Sequence, residues 1–397
     1  MHVGMFADSY LPQRNGLVTL LCQLTKELVR QGMDVSLFVP GEANTIEESN
    51  GVHVHHLRGY SFPFYPGYRL TTMSVRRLRH VLDREGIDIY HVHDPFSLGA
   101  AGVYQARRRQ KPIVGTYNTH FVEYIPHFGP GNLRKRFGPL LGDGVSRVTK
   151  RGVWRFLRTF YRRCHVVTVP TRQIAGILRR HGFLRLRVIP NGIALSKRET
   201  DGLPMAAVRE VVTSPMREDS EPTVFLYLGR ISLEKKVDVL LTAFRLLDDD
   251  KALLVVAGSG PQLLEYRRMA SSLGLTNVRF TGTVPDKLVK PLYLASDVFA
   301  SASDTETFGL TFLEAMSCGL PLVGASEGGP VELIEDGGNG LLFEANDPED
   351  LCDKMRMLSR DPLLRRKMGQ RSSEKVNRYD IKRVAKDFIN IYEKLSI

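Results

Sequence analysis

Residues 298–323 read Val298-Phe-Ala-Ser-Ala-Ser-Asp-Thr-Glu306-Thr-Phe-Gly-Leu310-Thr-Phe-Leu-Glu314-Ala-Met-Ser-Cys-Gly319-Leu-Pro-Leu-Val323. A short apolar run, Val298–Ala300, leads into small and acidic residues. A helical apolar period opens around Thr307-Phe-Gly-Leu310, stops near Cys318-Gly319, and gives way to a second apolar run at Pro321–Val323. The order strand, turn, helix, strand is the unit of a parallel sheet, because only a crossover can return the chain to run in the same direction.

The same rhythm extends outward in both directions. Strands are expected at Thr223–Leu228, Leu253–Ala257, Val278–Thr281 and Gly340–Phe343 in the second half. In the first half they are expected at His2–Phe6, Met33–Val39, Val52–Leu57, Ile87–Val92, Pro112–Thr116, Val166–Val169 and Arg187–Ile189. Near-continuous apolar strands alternating with amphipathic helices imply sheets covered on both faces. The predicted fold class is therefore α/β, with two Rossmann-like doubly wound domains facing each other across a cleft. The mixed Ser, Pro, Asp and Glu stretch at 194–222 breaks the rhythm and is expected to connect the domains. The organisation predicted is residues 1–195, residues 196–375, and a helix within 376–397 that packs back on the first domain.

Composition narrows the class. The 397 residues are 43% hydrophobic and 25% charged, ordinary for a globular chain. No run of about 18 apolar residues is present to span a bilayer. Met1-His-Val-Gly-Met-Phe6 reads as a buried strand rather than a secretion signal, which with four scattered cysteines (22, 164, 318 and 352) predicts a cytoplasmic protein with reduced thiols. The net charge of +12 is uneven: residues 1–200 hold 30 Lys+Arg against 13 Asp+Glu, and the remainder 25 against 30. A basic half beside a mildly acidic one suggests that one domain meets a polyanion.

Three turns in the second half have phosphate-friendly chemistry. In Leu228-Gly-Arg-Ile-Ser-Leu-Glu-Lys-Lys236, Arg230 and Lys235 can converge on one anion, although such a pair also occurs on plain surfaces. Ala257-Gly-Ser-Gly-Pro261 is Gly-rich after a strand, a weak signal that includes Gly260. The third turn is the one quoted first. Amides around Phe308, Gly309 and Leu310 open a helix and favour an anion. Glu306 and Glu314 each suit a sugar diol, the alternative being a capping charge and an exposed helix residue. Asp304-Thr-Glu306 superficially offers two carboxylates to a cation, but two acids at a strand end are thin support, and no required metal or other cofactor is expected.

These motifs occur in a recognisable order. Gly229-Arg230…Glu234-Lys235, Gly258-Ser-Gly-Pro261, Phe280-Thr-Gly-Thr-Val284, Glu306-x7-Glu314, Glu327-Gly-Gly-Pro330 and Asp336-Gly-Gly-Asn-Gly-Leu341 resemble the family 4 retaining glycosyltransferases of the GT-B fold. The resemblance implies that Arg230 and Lys235 bind a donor diphosphate, that Glu306 and the 308–310 amides hold the transferred sugar, that Glu314 binds the ribose, and that the base lies near Thr283-Val284.

In the first half, Asn15-Gly16 follows the first strand and is expected to offer backbone amides to donor phosphate and sugar, the alternative being an ordinary turn. The run Gly115-Thr-Tyr-Asn-Thr-His-Phe-Val-Glu-Tyr124 resembles a family segment, but puts Asn118 where the family usually has His. Asn keeps a hydrogen bond yet cannot carry a proton, so either Asn118 is positional or His120 has taken over the catalytic role, or activity is reduced.

Between Arg134 and Arg163 there are ten Lys+Arg and one acid, Asp143. On a helix Arg147, Arg151, Arg155, Arg158 and Arg162 form one stripe, and Val153, Trp154, Leu157, Phe160 and Tyr161 an adjacent one. Apolar insertion beside basic charge suits an anionic membrane surface, whereas an apolar stripe packed on the sheet leaves a merely solvated Arg face. Nucleic acid is disfavoured, since no recognised binding pattern accompanies the charge. Phe6-x-Asp-x-Tyr-x-Pro-Gln-x-Asn-Gly16 and His93-x-Pro-Phe-Ser-Leu-Gly99 resemble diacylglycerol glucosyltransferases, with Asp94 where those commonly have Thr. The aromatic loop Arg58–Tyr68 is open between an acceptor channel and a rigid lid. The expected activity is transfer of a hexose, glucose preferred, from a nucleotide-sugar such as UDP-glucose to a membrane lipid at the inner face of the plasma membrane. The alternatives are a soluble or polyprenyl-linked saccharide acceptor and a non-catalytic binder.

Overall fold

A computed structural model describes residues 1–396 apart from Arg14, 62–68, 72–74, 119–148, 196–207, 211 and 213–221. The chain divides into two compact units, the first made of Met1–Ala194 and Ile381–Ile397, the second of Leu195–Asp380.

In the first unit the described strands are β1 (His2–Phe6), β2 (Asp34–Gly41), β3 (Thr45–Ser49), β4 (Val52–Ser61), β5 (Arg69–Thr71), β6 (Ile89–Val92), β7 (Ile113–Thr116), β8 (Val166–Val169) and β9 (Leu186–Val188). They form one sheet in the order β3-β4-β2-β1-β6-β7-β8-β9, with β5 on β4. The main strands are parallel, while β3 and β5 run antiparallel to β4. Helices α1 (Gly16–Arg30), α2 (Val75–Glu85), α3 (Ser97–Arg108), α4 (149–161) and α5 (Arg172–Arg180) make the crossovers. Phe6, Phe38 and Tyr90 stack from adjacent strands, with ring centroids 4.7 and 5.6 Å apart. Burying such aromatics contributes roughly 1.5–3 kcal/mol each.

In the second unit β10 (Thr223–Leu228), β11 (Ala252–Ala257), β12 (Val278–Gly282), β13 (Val298–Ser301), β14 (Leu322–Ala325) and β15 (Gly340–Phe343) form an all-parallel sheet in the order β12-β11-β10-β13-β14-β15. The helices are α6 (Val237–Leu247), α7 (Leu263–Ser272), α8 (Asp286–Leu294), α9 (Leu310–Ser317), α10 (Pro330–Leu333), α11 (Pro348–Arg360) and α12 (Pro362–Lys375). Strands β10, β11 and β13 are buried along nearly their whole lengths, as strands covered on both faces must be.

The last helix, α13 (Ile381–Ser396), belongs to the first unit and packs along α1. It is fastened by the Ile381 amide donating to the Ile193 carbonyl at 2.9 Å and by the Gln31 side chain donating to the Lys382 carbonyl at 2.9 Å. The short 3₁₀ turn Val376–Tyr379 remains with the second unit, where Tyr379 meets the Phe308 ring. The return therefore starts at Ile381 rather than at 376. Most of the 194–222 connection lies outside the described residues. Within it Arg209 is held by the Asp297 carboxylate at 3.0 Å.

Candidate active site

An open parallel sheet has one place where successive strands go opposite ways, and ligands bind beyond the carboxyl ends there. In the second unit that place lies between β10 and β13: β11 and β12 extend to one side, β14 and β15 to the other. The loops leaving β10 and β13 carry the expected charged groups, and the structure brings them together. Lys235 donates to Glu306 at 2.5 Å, both side chains being half-buried. Beside them Lys236 pairs with Asp304. Lys236 went unnoticed in sequence, where one of two adjacent lysines cannot be told apart from its neighbour. Its left-handed backbone, φ 49°, turns the two ammonium groups toward different carboxylates. Each acid thus has an ammonium partner, so neither carboxylate is bare.

The glycine turn serves this loop geometry. A side-chain carbon at Gly258 would fall 1.9 Å from the Gly229 carbonyl oxygen, and one at Gly260 2.1 Å from that of Ile231. The loops after β10 and β11 lie backbone to backbone, with the Ile231 amide donating to the Ser259 carbonyl at 3.0 Å. Gly258 and Gly260 are required by this approach. Arg230 is exposed in the same loop, and Tyr227 donates to its carbonyl at 2.9 Å.

Helix α9 starts three residues later than expected, at Leu310, because Gly309 takes a left-handed conformation (φ 92°) at the cap. No side chain caps it, and the amides of Phe308, Gly309 and Leu310 meet no acceptor among the described residues. Uncapped amides at a helix start attract negative charge. Phe308 is buried, and the Gly329 amide donates to the Glu306 carbonyl at 2.6 Å, which fixes the loop from below. Glu314, one turn into α9, is half-buried and accepts from the Tyr293 hydroxyl at 2.8 Å through Oε2. Burial pushes its carboxyl above the usual range, and the Tyr293 bond partly offsets that. Glu314 is thus an oriented group rather than an exposed one. Thr283 is exposed and Val284 half-buried, between β12 and α8.

The first unit has its own reversal point, between β1 and β6. Asp8, just past β1, accepts from the Ser97 hydroxyl at 2.5 Å and from the Leu98 and Gly99 amides at 2.9 and 3.4 Å. These are the first groups of α3, so Asp8 fills that helix start. Asp94 accepts from the Asp8 amide at 3.0 Å, and burial, reinforced by Asp8, pushes its carboxyl up to about 7. Burial pulls His93 down to about 3, and neither of its ring nitrogens has a hydrogen-bond partner among the described residues. His91 bridges Tyr392 of α13 at 2.8 Å and Thr116 at 2.6 Å. In sequence Asp8, His93 and Asp94 are only letters of a motif and His91 is not marked at all, since the partners of such groups lie up to 301 residues away.

Asn15 caps α1: its side-chain oxygen accepts from the Val18 amide at 2.9 Å, and its nitrogen donates to Ser9 at 3.0 Å. Its side chain is thereby committed to the turn, and Gly16 is the first residue of α1. Asn118 lies just past β7 with both amide atoms buried and unpartnered among the described residues. His120 lies outside the described residues, as do Arg147 and the 62–68 part of the aromatic loop. Asn118 and Glu306 belong to different units.

The reading of α4 needs correction. Arg151, Arg155, Arg158 and Arg162 are exposed as expected, but Leu157, Phe160 and Tyr161 are buried in the core. Trp154 stacks on His181 at 3.8 Å and packs, partly exposed, against the same core, so its ring is largely committed to packing. The apolar stripe is packing. Phe156 is the large apolar side chain of α4 left exposed, at 49%.

The comparisons agree with this architecture. The family model for Glycosyltransferase Family 4 matches residues 14–197, and that for Glycosyl transferases group 1 matches residues 209–375. The chain is 30% identical over 351 residues to the alpha-monoglucosyldiacylglycerol synthase of Streptococcus pneumoniae, covering 86% of this chain and 75% of that one. It is 26% identical to a GDP-mannose-dependent alpha-mannosyltransferase of Corynebacterium glutamicum, covering 87% and 78%. Among solved structures it resembles Anabaena Alr3699/HepE in complex with UDP-glucose, with a TM-score of 0.73, 18% identity, and coverage of 99% and 100%. With two parallel-sheet domains and both family matches in sequence order, the chain is a GT-B glycosyltransferase and belongs to glycosyltransferase family 4.

Proposed function

We propose that the protein is a retaining hexosyltransferase that moves glucose from UDP-glucose to a membrane lipid such as diacylglycerol. The observation that carries this is the pair Lys235–Glu306 at the β10/β13 reversal point, beside the uncapped start of α9. A donor diphosphate entering there would take the Lys235 ammonium and reach Arg230, releasing Glu306 to accept from sugar hydroxyls. The 308–310 amides would receive charge on the phosphate side, and Glu314, oriented by Tyr293, would accept from the ribose diol. The base would lie along Thr283-Val284, and the Asn15-Gly16 turn would meet the sugar end. Catalysis in this reading is electrostatic, since each group is held in place before charge develops on the departing phosphate. The amide of Asn118 supports a positional role: both its atoms are buried and have no hydrogen-bond partner among the described residues. His120 stands close to it in sequence as the candidate proton carrier.

The lipid acceptor rests on the monoglucosyldiacylglycerol synthase relative, the glucose on that relative and the UDP-glucose complex, and the UDP on that complex; the place at the inner membrane face follows from the lipid acceptor as proposed. No required metal or cofactor enters the proposal. A saccharide acceptor is the second reading, favoured by the packed Trp154, which removes one of the expected membrane contacts. Titrating UDP-, GDP- and ADP-hexoses, then assaying transfer to diacylglycerol in mixed micelles, tests the proposal. Saturable UDP-glucose binding with formation of an α-linked glucolipid supports it. Donor binding with transfer only to saccharides selects the second reading, and binding without turnover on any acceptor makes the chain a non-catalytic binder.

A further inference from the structure

Between α3 and α4 runs a groove of about 690 Å³, within the roughly 300–1,000 Å³ of small-molecule sites. The two helices are neighbours, with Phe160 of α4 reaching over Gly99 of α3. Val103 and Phe160 form its floor, and Tyr104 and Phe156, 51% and 49% exposed, form its walls. At one end it continues into a second hollow of about 400 Å³, sharing Arg107 and Arg163 with it. That hollow adds Arg162 and Arg185. The side chains of Arg107, Arg108 and Arg162 make no ion pair or hydrogen bond among the described residues.

The polarity changes along the groove from aromatic and aliphatic to mainly cationic. An occupant must therefore be apolar at one end and anionic at the other. The apolar end is built from helix sides, whose backbone groups are consumed within the helices. Its polar groups are few, the Tyr104 and Thr159 hydroxyls beside aliphatic and aromatic surface, which is a poor match to the dense donor and acceptor pattern of base edges. We infer that this groove seats an anionic phospholipid, its phosphate among Arg107, Arg162 and Arg163 and an acyl chain along Tyr104 and Phe156. The choice of a lipid occupant rests on the reading of a lipid-directed enzyme; the shape and charge of the groove do not. The membrane-facing surface is then the α3/α4 groove, and the Arg151–Arg155–Arg158 stripe lies beside it on α4, meeting it at Arg162.

The test is sedimentation of the full chain with vesicles of equimolar phosphatidylglycerol and phosphatidylcholine, against phosphatidylcholine alone. The expected result is binding to the anionic vesicles only. Replacing both Arg107 and Arg163 with Ala should lower the partition about 25-fold, at roughly fivefold per charge. Phe156→Ser should lower it severalfold and by the same factor at high salt, because the apolar contact is not screened. Replacing Arg151 and Arg155 with Ala, roughly 16 and 10 Å along the helix from Arg162 at 1.5 Å per residue and so about one to two Debye lengths away, should change it less than about threefold. Equal loss in that control pair would overturn the seat in favour of a diffuse field. Full displacement by inorganic phosphate, or by a single-stranded oligonucleotide, with Phe156→Ser silent, would overturn the lipid. Transfer by the Arg107/Arg163 variant to detergent-dispersed diacylglycerol is measured alongside. Retained transfer with lost vesicle binding separates the groove from catalysis, whereas wild-type binding without any transfer counts against the proposed function alone.

Discussion

The two units share the order of their central parallel strands and treat the reversal point in opposite ways. In the first, the start of α3 is filled by the protein's own Asp8 carboxylate, which takes the Ser97 hydroxyl and two backbone amides. In the second, the start of α9 has no side-chain cap, and the neighbouring carboxylate, Glu306, is held a short distance off by Lys235. One helix start is spent on stability, and the other, in the function proposed, is kept for a ligand. The histidines divide the same way: all eleven lie in the first 181 residues, and His55, His91 and His93 are buried with their basicity depressed mainly by burial. A doubly wound fold does not by itself decide which reversal point binds substrate. The side chains that follow the first strand on each side of it do.

The comparison can be broken most severely at Glu306. Glu306→Gln keeps the shape and removes the charge that balances Lys235; transfer should fall by about 10²–10³ in kcat, with donor affinity changed far less. Steady-state kinetics alongside calorimetric donor titration check this, and an unchanged kcat would remove Glu306 from the chemistry. Next is Asp8→Ala, which opens the filled helix start. Two amides and a hydroxyl lose their acceptor, so the first unit should lose about 2–4 kcal/mol in denaturant melts. Added sulfate should restore part of the loss if the vacated site behaves as its counterpart does.

Asp94→Asn has a smaller effect with a definite pH dependence. The folded carboxyl, at about 7, lies above its ordinary value of 3.8, so the folded state holds the proton more tightly. The penalty for ionising it is absent below about pH 4 and complete above about pH 7. The Asp94→Asn variant should therefore be more stable than the parent by about 1–3 kcal/mol at pH 8 and by almost nothing at pH 4, as read from urea midpoints at the two pH values. A pH-independent gain would show that the carboxyl is not the cause. The least change is expected for Tyr293→Phe, which removes the hydroxyl that orients Glu314. About 1 kcal/mol, read as a roughly fivefold weaker nucleotide Kd with kcat nearly unchanged, would place Glu314 in binding.

Much of this was legible in the sequence. The buried parallel strands announce themselves because both faces demand apolar residues, and every expected strand appears within a few residues of its place. β3 and β5 do not, since Thr45-Ile-Glu-Glu-Ser49 is an exposed edge with no apolar run and Ile46 is 67% exposed. Lys235, Glu306 and Glu314 stood out through motif spacing, yet the pairing of Lys235 with Glu306 depends on loops 71 residues apart. The bond between Asp8 and Asp94 was hidden for a related reason: a spacing of 86 residues carries no period. Periodicity drew both stripes of α4 but could not say which faces outward. That is decided by His181 and the sheet, far along the chain.

The placement of α13 has a consequence for biosynthesis. Its Phe388 and Tyr392 rings lie against His91, and its side lies on α1, so a wall of the first unit comes from residues 381–396. A ribosome delivers those residues only after the whole of the second unit. At roughly 5–20 residues per second, the nascent first unit spends on the order of ten to forty seconds with that wall missing. During that interval the second unit, whose parts are contiguous, is free to finish first. The order of folding would then run against the order of synthesis.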